Sequence, residues 1–102
     1  MTADDLFTTL GRGTFENIMD KLEKSIDVYY KVFKDNKAKI DGKEAFAYAY
    51  VFGYIENAIE SVSKNFPDLE KKTQRDEMAT EFIETEMFKR RIKCLIDKIT
   101  DL

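Results

Sequence analysis

Residues 43–66 read KEAFAYAYVFGYIENAIESVSKNF and include the longest uncharged run of the chain, Ala45 to Ile55. Rings recur at every second position, Phe46, Tyr48, Tyr50, Phe52 and Tyr54, separated by Ala47, Ala49, Val51 and Gly53. Strict alternation is the pattern of a half-buried strand, which would set all five rings on one face. Three local signals favour a helix. Asp41, followed three residues later by Glu44, has the form of a capping box. Alanine is the best helix former and is depleted in strands. Beyond Tyr54 the apolar positions are Ile55, Ala58/Ile59, Val62 and Phe66, at helical spacings. The stretch reads as a central helix over 43–66.

On a helix, a two-residue step turns by about 200°, so the alternation splits the rings into two sets. Tyr48, Val51/Phe52, Ile55, Ile59 and Val62 form one stripe, expected to face the core. Phe46, Tyr50, Gly53/Tyr54 and Asn57 form a second, partly opposite one. A helix that is apolar around most of its girth needs several neighbours. The second stripe is therefore the candidate partner-binding surface, with Phe46, Tyr50 and Tyr54 as anchors, because tyrosine and phenylalanine are enriched at interface cores. Gly53 costs about 1 kcal/mol against Ala inside a helix, which suggests close approach of a neighbour.

Working outward, 14–35 is the next helix. Thr14 is a plausible N-cap, and Phe15, Ile18/Met19, Leu22, Ile26, Tyr29/Tyr30 and Phe33 repeat at helical spacing. Tyr29 and Tyr30 are adjacent, so one phenol is expected outside the core. Residues 1–13 form a short N-terminal arm carrying Leu6, Phe7 and Leu10, closed by Gly11-Arg12-Gly13. Residues 35–42, DNKAKIDG, form a polar loop. Pro67 ends the central helix in a turn at Asn65–Asp68. A single last helix is expected over 74–99, with Met78, Phe82, Thr85, Phe88, Ile92, Leu95/Ile96 and Ile99 as its stripe. Long helices joined by loops of about eight residues pack most simply as an antiparallel three-helix bundle, a thin body suited to side-by-side association.

Composition agrees with one all-α domain. The chain has 102 residues, 43% hydrophobic and 36% charged, with one proline and four glycines, too little punctuation for many short strands. Net charge is −3, which neither requires nor excludes nucleic acid. The first residues, MTADDLFTTL, lack the basic and apolar regions of a secretion signal, and no uncharged run reaches the roughly 18 residues of a membrane span. One cysteine makes no intrachain disulfide, so a cytoplasmic setting is expected.

Catalytic chemistry finds no purchase. There is no histidine, hence no His base, no Cys–His pair and no Glu-x-x-His metal motif. Glu77, Glu81 and Glu84 share a helix face but read as solvated. Cys94 beside the last stripe reads as a small hydrophobe. No cofactor, metal or enzymatic activity is expected. Two basic clusters remain: Lys71, Lys72 and Arg75, and Lys89, Arg90, Arg91 and Lys93. The second is the candidate nucleic-acid surface, though its cations also suit a helix C-terminal half and the neighbouring Glu84 and Glu86.

The leading reading is a non-enzymatic protein-binding module that self-associates, with a homodimer as the expected form. A nucleic-acid binder using the last helix is the alternative. Small helical accessory subunits and virus-encoded inhibitors have this size and shape, a fold-level analogy.

Overall fold

The first helix, α1, spans Arg12–Asp35 because its apolar residues close one continuous side. Phe15, Ile18, Met19, Leu22 and Ile26 on that side are all buried. Its start differs from the Thr14 cap expected from sequence. Gly11, at φ 80°, holds the N-cap position and no side chain caps the turn, so Arg12 and Gly13 are already helical. That left-handed φ is one an L side chain rarely adopts. At the other end the Asn36 Nδ2 donates to the Val32 carbonyl at 2.8 Å. The Asn36 backbone N–H points at the Val32 and Phe33 carbonyls, and these bonds satisfy acceptors the helix leaves open. The computed structural model describes residues 11–63 and 72–102. Residues 1–10 of the expected arm and the turn at 65–68 lie outside that range.

A 3-10 turn at Lys37–Lys39 leads to Gly42, at φ 65°, and to the second helix, α2, Lys43–Ser63. The Gly42 carbonyl accepts the Phe46 N–H at 2.9 Å, which puts Gly42 rather than Asp41 at the cap position. The α2 core stripe is Ala47, Val51, Ile55 and Ile59, all fully buried at four-residue spacing. Tyr48, expected in that stripe, is instead 47% exposed and stacked on Phe52 at 6.3 Å. Methyl-sized Ala47 lets the neighbouring helices approach where a ring would hold them apart. Gly53 has no such role: a Cβ built there meets nothing within 4 Å.

The expected single helix over 74–99 is two helices, α3 at Lys72–Glu84 and α4 at Glu86–Thr100. The chain breaks at Thr85, whose backbone is extended at ψ 129°. Its Oγ1 donates to the Glu81 carbonyl at 2.7 Å, and its own carbonyl accepts the Lys89 N–H at 2.8 Å. Packing explains the break. On a continuous helix, residues six apart point about 120° away from each other. Here Phe82 and Phe88 both turn inward and stack at 5.0 Å, with Phe15 against Phe82 at 5.1 Å. Burying a large apolar side chain contributes about 1.5–3 kcal/mol, enough to outweigh one interrupted turn.

Four helices and no strand occur among the described residues, and they share one core. Contacts give the directions. Tyr50 meets Ser25 and Phe46 meets Phe33, so α2 runs against α1. Arg91 reaches Asp20 and Glu23 while Lys98 reaches Asp27, so α4 runs with α1. The body measures 42 × 24 × 20 Å, long enough that much of each helix stays at the surface.

Candidate functional site

The rings of α2 divide between two flanks. Phe46 and Tyr50 turn toward α1, where Phe33 stands between them at 5.5 and 5.3 Å in edge-to-face geometry. Phe46 and Tyr50 are 6.5 Å apart, and Tyr29 continues the row 6.5 Å from Phe33. Edge-to-face rings gain from opposed quadrupoles beyond the area they bury. The Tyr50 hydroxyl shares a 2.5 Å hydrogen bond with the Ser25 Oγ, which fixes the ring against α1.

None of these four rings is fully buried. Tyr29 is 50% exposed, and beside it on α1 lie Val28 and Val32, at 63% and 52%. The four rings and two valines form one apolar patch along the α1–α2 seam, near the loop end. Scattered exposed apolar residues are ordinary, and contiguous exposed groups above a few hundred Å² are the kind of surface through which proteins associate.

Of the three sequence-chosen anchors, the structure brings Phe46 and Tyr50 together and sets Tyr54 apart. Tyr54 is half-buried one turn on, lining a cleft of about 400 Å³ with Ile18, Lys21, Asn57, Ala58 and Val62. Tyr29 is the phenol expected outside the core, whereas Phe33, Val28 and Val32 are not among the anchors that the sequence points to. Their signal was present: Val28 and Val32 interrupt the charged side of α1 four residues apart.

No known family model, curated protein or solved structure matches the chain. Function rests on the surface alone.

The four candidate nucleic-acid contacts are not equivalent. Arg91 folds back on α1, where its Nη2 donates to Asp20 Oδ1 at 2.9 Å and to Glu23 Oε1, with Nε also on Glu23 at 3.3 Å. Hydrogen bonds to Glu23, then to Asp20, hold its pKa above the ordinary arginine value. Lys89, Arg90 and Lys93 stay exposed on the outer side of α4 around Met87, which is 39% exposed. In the other cluster, Lys71 lies outside the described residues.

The described residues contain no group of three or more Cys, Asp or Glu side chains placed to hold a metal ion. Cys94, read from sequence as a small hydrophobe beside the last stripe, is exposed on that flank, while α4 buries Ile92 and Leu95 on either side of it. None of the described helices is long and apolar enough to cross a membrane.

Proposed function

We propose that this protein is a non-enzymatic helical binding module, and that its most direct partner is a second copy of itself. The observation that carries the reading is the patch of Tyr29, Phe33, Phe46 and Tyr50 edged by the exposed Val28 and Val32. Tyrosine and phenylalanine offer large, rigid contact area, and their edges here are still open to water. The wider patch keeps two of the original anchors, Phe46 and Tyr50, as its base and shifts the contact rim to α1.

Light scattering after size exclusion tests self-association. Assembly beyond a monomer at micromolar concentration, lost in a Tyr29→Glu/Val32→Glu variant that remains helical, supports it. A wild-type chain that stays monomeric at about 100 µM, corresponding to interaction weaker than roughly 5.5 kcal/mol, removes self-association.

A second reading draws on Lys89, Arg90 and Lys93, exposed side by side on α4. Phosphate contacts need no more than such cations, and their affinity falls steeply with salt. Absence of binding to single- or double-stranded DNA and RNA at about 50 mM salt removes this reading.

A further inference from the structure

The outer side of α1 carries a second pattern beside its core stripe. Lys24, Val28, Val32 and Asp35 follow at spacings of four, four and three residues. At about 100° per residue all four fall within roughly 80° of arc. Every one of them is exposed. The order along the helix is cation, two branched aliphatics, anion. Neither Lys24 nor Asp35 enters an ion pair among the described residues, whereas Asp20, Glu23 and Asp27 on the α4 side of α1 are engaged by Arg91 and Lys98.

Such a series is complementary to itself when read backwards. A two-fold axis places residue i of one copy against residue j of the other and repeats the contact in reverse. With the axis level with residue 30, Val28 of each copy lies against Val32 of the other. Lys24 of each then stands beside Asp35 of the other, giving two ion pairs from one pairing. Parallel pairing would instead set lysine on lysine and aspartate on aspartate. The Tyr29 of each copy flanks the axis on the side that continues into Phe33 and Phe46. Lys31 lies at the opposite edge, where its alkyl stem can cover the valines while its ammonium stays in water.

We infer that two copies of this chain pair antiparallel through α1, with Val28 against Val32 at the centre and Lys24 against Asp35 at each end. This rests on the self-association proposed above and gives it a geometry. The occupant is a second copy because the charges at the two ends complement this helix in reverse.

Charge exchange tests it in the full-length protein, with dimer dissociation measured by sedimentation equilibrium. Lys24→Glu and Asp35→Lys each turn two attractive contacts into repulsive ones, and each is expected to weaken the dimer about tenfold. The Lys24→Glu/Asp35→Lys double variant recreates both pairs with signs reversed and returns the affinity to within about threefold of wild type. A carbodiimide, which joins an amine and a carboxylate without a spacer, supplies a second readout. Within one chain Lys24 and Asp35 are about 16 Å apart along the helix, so a 24–35 product joins two copies. In a mixture of isotope-labelled and unlabelled chains that product carries both labels.

A monomeric wild type overturns self-association and this pairing together. A dimer that ignores both single exchanges and yields no 24–35 product leaves self-association standing and overturns the α1 pairing. Single variants that weaken the dimer without rescue in the double overturn the antiparallel register.

Discussion

The two long seams of α1 are built from different chemistry. Toward α4 the edge is ionic: Arg91 clamps Asp20 and Glu23, and Lys98 holds Asp27 at 2.7 Å with its ammonium 5.0 Å over the Tyr30 ring. Toward α2 the edge is aromatic, with Phe33 wedged between Phe46 and Tyr50. An ionic edge satisfies its groups and meets water well, so it has little left to offer a partner. An aromatic edge at the surface is only half satisfied, since every ring keeps area that water solvates poorly. Two neighbouring seams of one helix thus differ in whether they are finished within a single chain.

The sharpest way to break the comparison is to remove the floor beneath both seams. Phe82→Ala empties the site stacked between Phe15 and Phe88 and is expected to cost about 3–5 kcal/mol in urea unfolding followed by circular dichroism. Next comes the aromatic edge itself. Phe33→Ala removes the ring shared by Tyr29, Phe46 and Tyr50, but from a half-buried site, for an expected loss of about 2 kcal/mol. Gly53→Ala sharpens the contrast in the other direction. Its helix interior is open to a methyl group, so the same unfolding curve should show a gain of about 0.5–1 kcal/mol. The ionic edge gives the smallest effect. Arg91 is 38% exposed in its side chain, and Arg91→Gln should cost at most about 1 kcal/mol, a difference that shrinks between low and high salt. If Arg91→Gln cost more than Phe33→Ala, the ordering of the two seams would be reversed.

Helix type was legible in the sequence wherever one signal dominated. The periodicity of Phe15 through Ile26 points to one side of α1, and that side is buried. The alanines between the α2 rings pointed to a helix despite the alternation, because methyl side chains favour that backbone. Which face of α2 turns inward was not legible. Helical spacing from Ile55 and Ile59 allowed either Tyr48 or Ala47 one turn before Val51, and it is Ala47 that is buried while Tyr48 is 47% exposed. The break at Thr85 was hidden as well. It carries no glycine or proline, its hydroxyl replaces part of the interrupted ladder, and its cause lies in the stacking of Phe15, Phe82 and Phe88 from three helices. At the candidate surface, Phe46 and Tyr50 were readable from α2 alone. Phe33 and Tyr29 joined them only once α1 and α2 were laid together, and Arg91 left the basic cluster only once α4 met the acids of α1.

The ion pairs from Asp20 to Asp27 extend over two turns of α1. A rod gripped at several heights along one edge cannot roll about its own axis without releasing those grips in concert. The heading of Val28 and Val32 is set first by the buried side of the same rod, from Phe15 to Ile26, and the grips of Arg91 and Lys98 hold that heading from one edge.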